Sequence, residues 1–228
     1  MHHPSSSEKL RWRLHVSVVD PTQVPCIYVL AGTNGSGKSS LAGALFDPSY
    51  FNPDKAAQAI LSKNPGITQA EANSAAWNEG RRLLERAITE RLDFAFETTL
   101  GGRSITALLQ LALSRGMEVR VWYVGLSSPE LHIARVRSRV ARGGHDIPEA
   151  RIRERYETSR ANLIRLLRNL TELRVFDNSE EADPNKGIVP EPTLILHMVR
   201  GTIVSSCNLA QAPEWAKSIL VMAAYLHH

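Results

Sequence analysis

The chain has 228 residues, 43% of them hydrophobic, and a net charge of +4. That length suits one α/β domain with a large buried core, and no apolar run approaches the length of a membrane-spanning helix. Two cysteines, Cys26 and Cys207, make no disulfide framework, so a reducing cytoplasm is the expected compartment, and so small a positive charge is weak support for a nucleic-acid partner.

The opening MHHPSSSEKLRWR has no apolar stretch typical of a signal peptide and reads as part of a loose polar tail over residues 1–24. Residues 25–228 are expected to form a single domain. Cys26–Ala31 reads as a short buried strand, and Ser39–Phe46 as the first turns of a helix. A second helix follows over Asp54–Lys63, with Asn52 as N-cap and Pro53 at its first position. A long helix over Thr68–Leu92 opens on Thr68-Gln-Ala-Glu71, a capping-box pattern. Phe94–Glu97 is a strand, Ser104–Arg115 a helix closed by Gly116, and Glu118–Val124 a strand. Pro129–Ala141 is a helix stopped by Gly143-Gly144, and Glu149–Leu170 another. Arg174–Asp177 and Thr193–Met198 read as strands, with EEADPNKGIVPEP as the loop between them. A Ser-rich patch at Ser205-Ser206 precedes a last helix over Pro213–Leu226. This alternation predicts an α/β fold with a mostly parallel sheet and helices on both faces.

Between the first strand and helix, Gly32-Thr33-Asn34-Gly35-Ser36-Gly37-Lys38-Ser39 fits G-x-x-x-x-G-K-[ST] without a gap. Glycine lets backbone N–H groups turn inward around a polyanion, and the helix N-terminus adds positive potential behind them. Gly32 to Ser40 is thus the expected cradle for ATP or GTP. Lys38 should reach the β- and γ-phosphates, and Ser39 should ligate Mg²⁺. The loop implies nucleotide binding and leaves hydrolysis, transfer and switching all open.

In open parallel sheets, sites lie at the carboxyl ends of strands. That places Asn52-Pro53-Asp54, the stretch Glu97 to Arg103, and the helix after Val124 beside the loop. Asp54 is the better candidate for a general base on an acceptor hydroxyl. It also suits the first turn of a helix, where an acid is favoured. Glu97 ends a buried strand, where an acid needs partners. It either orients substrate hydroxyls, holds a metal-bound water, or caps the next loop. Thr98, Thr99 and Arg103 are candidate lining for the acceptor pocket.

From Arg135 to Arg174 there are eleven arginines and no lysine, and arginine suits bidentate phosphate contacts. Arg135, Arg139 and Arg142 share one helix face, opposite an apolar stripe of Ile133, Val136 and Val140. An arginine-rich lid over about residues 129–160 would neutralise charge in phosphoryl transfer. A solvated helix face, with Asp146, Glu149, Glu154 and Glu157 interleaved, is the other reading. His145 reads as a hydrogen-bonding loop residue beside the Gly143-Gly144 break.

GTNGSGKSS, FNPDKAA, FETTLGG, RVRSRVARGGHDIPEARIRERYETSRANL and VFDNS follow in this order over roughly residues 27–179. In these segments the chain resembles the zeta-toxin family of P-loop kinases, and within it the short zeta-like branch. The resemblance implies an ATP-dependent phosphotransferase acting on a nucleotide-activated sugar, UDP-N-acetylglucosamine in well-studied members. It also implies an antitoxin partner that obstructs nucleotide binding. By motif, Lys38 and Ser39 match the nucleotide and metal contacts, Asp54 the base, and Glu97 the substrate-contacting acid. Arg135 and Arg142 match the phosphate-binding arginines, with Arg139 competing for one role.

Two other readings stay open: a P-loop kinase of another metabolite or nucleotide, and an NTP-driven switch or RNA-binding module without kinase activity. The GGHDIPEARIRERY segment argues against the first, because the resemblance extends beyond the loop. Interleaved acids and the lack of an aromatic stacking set argue against the second.

Overall fold

The computed structural model describes residues 24–45, 50–180 and 191–227. Six strands form one sheet in the order β2-β1-β3-β4-β5-β6. They are β1 (Cys26–Ala31), β2 (Phe94–Thr98), β3 (Glu118–Gly125), β4 (Glu172–Asp177), β5 (Thr193–Val199) and β6 (Thr202–Ser206). The pairs β1–β2, β1–β3 and β3–β4 are parallel, while β4–β5 and β5–β6 are antiparallel. Helices α1 (Lys38–Leu45), α2 (Pro53–Lys63) and α3 (Gln69–Glu90) link β1 to β2, and α4 (Arg103–Ser114) links β2 to β3. Helices α5 (Pro129–Val140) and α6 (Glu149–Leu166) link β3 to β4, and α7 (Lys217–His227) closes the chain. The sheet is thus the expected α/β architecture, its parallel part read correctly from the apolar strand runs.

Alternation along the strands splits the sheet into two faces. Ile27, Val29, Val119, Val121, Tyr123, Leu173 and Val175 belong to the large core. Leu84 and Ile88 of α3, Leu109 of α4, Leu163 and Leu166 of α6, and Ile219 of α7 fill the same core. On the other face, Leu30, Trp122 and Val124 form a smaller cluster with Ala42 of α1. Helices α5 and α6 have a cluster of their own, Ile133, Val136, Ile147 and Ile152, with Val140 packed against it. Among the described residues, no helix is long and apolar enough to cross a membrane.

Strands β2 and β3 lie on opposite sides of β1, so the chain reverses direction across the sheet there. That leaves a crevice at the carboxyl end of β1, where the glycine-rich loop emerges. Phe51 extends the edge beyond β2: its N–H donates to Ala95 O at 2.8 Å, and its O accepts from Glu97 N at 2.9 Å. This isolated bridge to Phe96 seats Asn52-Pro53-Asp54 at the same end of the sheet. The Asn52 side chain then caps α2, its Oδ1 accepting from Asp54 N at 2.9 Å and Lys55 N at 3.0 Å. The capping box of α3 is present, with Thr68 as N-cap and Glu71 reaching back.

Three elements differ from the sequence reading. Strand β6 stands where only a Ser-rich patch was expected; Arg200 and Gly201, both at positive φ (48° and 80°), turn the chain into a hairpin. Helix α6 ends at Leu166, and the last turn tightens to a 3₁₀ turn over Leu167–Asn169. The last helix begins with a 3₁₀ turn over Glu214–Ala216, because Trp215 is buried and its indole N–H donates to Asp177 Oδ1 at 2.9 Å. The expected tail, Phe46, Ser49 and most of the loop after Glu180 lie outside the described residues.

Candidate active site

The loop after β1 is a close-packed turn. A Cβ on Gly32 would lie 2.2 Å from the backbone O of Val124, so only glycine fits against β3. Gly37 has φ +89°, which L side chains rarely adopt, just before the helix. The loop is braced from three elements. Asn178 Nδ2 donates to Ser36 O at 2.8 Å. His132 Nδ1 lies 2.8 Å from Asn34 O, so that nitrogen carries the proton. Arg155 Nη1 donates to Asn34 Oδ1 at 2.7 Å, and Arg155 O accepts from Thr33 Oγ1 at 3.3 Å. Burial holds His132 down to about 4.

Lys38 is 6% exposed. Its Nζ donates to Gly32 O at 2.6 Å and Thr33 O at 3.3 Å, and stands 3.7 Å from Glu97 Oε1. Glu97, 9% exposed, accepts at Oε2 from Asn52 Nδ2 at 2.9 Å. Burial lowers the pKa of the Lys38 ammonium and raises that of the Glu97 carboxyl, and each partner opposes the shift of the other. Glu97 therefore has the partners its position demands. Asn52, recognised in the sequence only as a cap, is one of them.

Asp54 is 44% exposed in its side chain and faces Arg139 Nη1 at 3.6 Å and His145 Nε2 at 3.7 Å. Arg139 also donates from Nη2 to His145 O at 3.2 Å, closing a triangle between α2, α5 and the loop after it. His145 is thus a member of the site as well as a loop residue.

Lys38, Asp54, Glu97, Arg139, His145 and Arg155 open onto one cleft of about 1370 Å³. Asn34, Gly35, Gly37, Lys38 and Ser39 line its floor, with Asp54, Glu97, Thr98 and Thr99 along one wall. Arg135, Arg139 and Arg142 line it together, so the helix face read from spacing does point over the loop. Arg135 Nη2 donates to Glu180 O at 2.9 Å, and Arg142 Nε to Ser138 O at 3.2 Å. Thr98 and Thr99 use their hydroxyls to accept from Leu100 N and Gly101 N, shaping the loop after β2. Ser40 lies in α1, and its side chain is outside the described residues.

Arg103 is not among the residues lining the cleft; it opens α4 behind Gly102 instead. The arginine that reaches the loop is Arg155, which the sequence reading counted among the eleven arginines without singling it out. Burial lowers its pKa, and its carbon chain lies where a side chain on Gly101 would stand. Only spacing along α6 could have flagged it, since Ile152, Tyr156, Ser159 and Leu163 are buried on that helix around it.

The family model described as Zeta toxin matches residues 14–183, well over half of the chain. The chain belongs to the zeta-toxin family. An uncharacterized protein of Haemophilus influenzae is 35% identical over 127 residues, which cover 55% of this chain and 88% of that protein. Among solved structures, a crystal structure of AvrRxo1-ORF1:AvrRxo1-ORF2 with sulphate ions aligns with TM-score 0.62 and 15% identity over 89% of this chain and 65% of that one. A structure of AvrRxo1-ORF1:-ORF2 with ATP aligns with TM-score 0.60 and 14% identity, covering 89% of this chain and 64% of that one. The chain thus spans somewhat less than two thirds of the length of those solved relatives. At that identity the likeness establishes the fold. This zeta-toxin chain is a P-loop kinase in fold and family.

Proposed function

We propose that the chain transfers the γ-phosphate of ATP to a hydroxyl of a nucleotide-activated sugar, with UDP-N-acetylglucosamine the first acceptor to test. The observation that carries this reading is the placement of Asp54 in the same cleft as Lys38, within reach of Arg139 and His145. A carboxylate beside a phosphate cradle is what transfer to an alcohol requires.

The residues present fit a nucleoside triphosphate. Ser36 Oγ and Arg139 Nε are buried without a hydrogen-bond partner. Lys38 is the one buried cation of the loop, held by two carbonyls and Glu97. Ser39 lines the cleft at the start of α1 and would hold Mg²⁺, which supplies charge neutralisation between phosphates. Asp54 would take the proton from the attacking hydroxyl. Lys38, Arg139, Arg142 and Arg155 would stabilise the charge on the transferring group, with Arg135 beside them. Glu97 and the loop from Thr98 would orient the sugar.

The choice of this sugar nucleotide rests on the family, as does an antitoxin partner that would cover the nucleotide cleft. We take residues 25–228 to be one kinase domain with α5 and α6 as its lid. Free Cys26 and Cys207 suit a reducing cytoplasm. Incubation with ATP and Mg²⁺ followed by mass spectrometry should show one added phosphate on the sugar nucleotide, absent with Asp54→Asn. If a panel of sugar nucleotides stays unmodified while a nucleoside or another metabolite gains a phosphate, the acceptor assignment fails and the kinase reading stands. If nothing gains a phosphate and RNA binds tightly, both fail.

A further inference from the structure

Resting on the kinase reading, we propose that Trp77 of α3 is a stacking platform for a planar heterocyclic base carried by the acceptor, with Asn73 and Ser74 beside it as hydrogen-bonding groups. Helix α3 has two distinct faces. Ala72, Ala76, Gly80, Leu84, Ala87 and Ile88 are buried. Ala70, Asn73, Ser74 and Trp77, spaced three and four apart, line the cleft instead. Trp77 is 45% exposed, an indole left open inside a cleft. The Arg81 guanidinium, one turn on, stands 5.7 Å from the ring centroid and pairs with Glu85 at 3.7 Å. That contact restrains the ring, and no role in the fold core accounts for an indole here.

The topology says which ligand meets this wall. Phosphates of the donor belong at the end of β1. Asn178 follows β4 and Arg135 lies on α5, so they mark the β3–β4 side of the cleft. Asp54 is carried on the β2 edge, because Phe51 pairs with Phe96 of that edge strand, and from there it reaches the Arg139 end of α5 rather than the Arg135 end that approaches Glu180. An acceptor hydroxyl placed at Asp54 therefore has its remaining body directed toward α3, and the base of the donor toward Asn178. The cleft volume of about 1370 Å³ exceeds the roughly 300–1,000 Å³ of a site for one small ligand, leaving space for two. A base has a flat π-face, and stacking on an aromatic side chain tolerates any base. Neutral Ala70, Asn73 and Ser74 add no carboxylate that would repel the phosphates of a nucleotide.

The test uses the full chain with its donor site filled by a non-hydrolysable ATP analogue. Uridine diphosphate, UDP-N-acetylglucosamine and base-free N-acetylglucosamine 1-phosphate are then titrated by calorimetry against wild type, Trp77→Phe and Trp77→Ala. Trp77→Ala should weaken both base-bearing probes by roughly 5- to 150-fold, the range for losing one stacked base. Trp77→Phe should retain most of the affinity. Binding of the sugar phosphate and of the ATP analogue should be the same in all three proteins. In turnover, KM for a base-bearing acceptor should rise in Trp77→Ala while kcat stays near wild type. Unchanged affinity for both base-bearing probes would overturn the proposal, and so would an equal loss for the ATP analogue or the sugar phosphate. Binding is read without turnover, so a Trp77-dependent nucleotide that is never phosphorylated supports the platform while removing the transfer reading.

Discussion

The carboxamide of Asn52 joins the two carboxylates of the site: its Nδ2 donates to Glu97 Oε2 at 2.9 Å, and its Oδ1 caps the helix that carries Asp54. Asn52→Ala removes both functions. The cap is worth about 1 kcal/mol and the bond to a charged group about 1.5–3 kcal/mol. Asn52→Ser restores the cap alone. Melting temperatures should fall in the order wild type, Ser, Ala, while turnover falls about equally in both variants because both release Glu97. Wild-type turnover in the Ser variant would separate Glu97 from the chemistry.

Lys38→Ala should abolish transfer and weaken ATP binding. It should also destabilise the free protein, because buried Glu97 loses its cation; breaking one side of a buried pair costs about 3–5 kcal/mol. Adding Glu97→Gln to Lys38→Ala should recover much of the stability and none of the turnover. Urea denaturation beside a kinase assay reads both. If Lys38→Ala turned over normally, the phosphate-cradle reading would be wrong.

Asp54→Asn should keep the fold and ATP binding and cut turnover by roughly 10²–10⁴, the range for a positioned base. The amide keeps the shape and gives up the proton acceptor. A strongly shifted melting temperature with intact activity would make Asp54 a helix-terminus residue.

Charge reversal at Arg142 should lower turnover at least about tenfold, one charge-assisted contact to the transferring group. Reversal at exposed Arg168 should leave it near wild type, since Arg168 lies in the 3₁₀ turn after α6 and does not line the cleft. Equal small effects would make the arginine stripe a solvated face.

His132 gives the pH dependence of the loop. Burial lowers its pKa from 6.5 to about 4. A depressed pKa means that the unfolded chain takes up the proton first. The stabilising contribution of neutral His132 is therefore full above 6.5 and is lost as pH falls through about 4. The loss is about 3 kcal/mol. Denaturation from pH 7 to 4 should show wild type losing that much more stability than His132→Gln. Parallel curves would mean that His132 is already protonated in the fold.

The glycine-rich loop, the capped helices and the parallel strands were legible because each depends on neighbours in the chain. Gly32 to Ser39 carries its own geometry, and Asn52-Pro53 fixes the start of α2. The arginines were legible only as a set. Arg135, Arg139 and Arg142 follow from helical spacing, but Arg155 reaches Asn34 across 121 positions, a closure set by how α6 packs. Arg103 shows the converse: it adjoins the site in sequence and opens α4, but unlike its neighbours Gly102 and Ser104 it is not among the residues lining the cleft. Strand β6 was missed because its residues are mostly exposed and its partner is β5 alone.

The division of α3 into a buried small-residue face and a cleft-facing one bears on how such a kinase diversifies. Ala72, Ala76 and Gly80 leave no room for larger side chains: a Cβ on Gly80 would stand 2.5 Å from the Phe51 ring. A side chain at Gly80 would displace Phe51, and with it the stretch that leads to Asp54, while Ala72 and Ala76 pack against Ala57 of α2. Ala70, Asn73, Ser74 and Trp77 bear no such constraint. With Trp77 as the proposed platform, a lineage could exchange one acceptor for another by substitutions on about two turns of a single helix, with the phosphate cradle inherited unchanged.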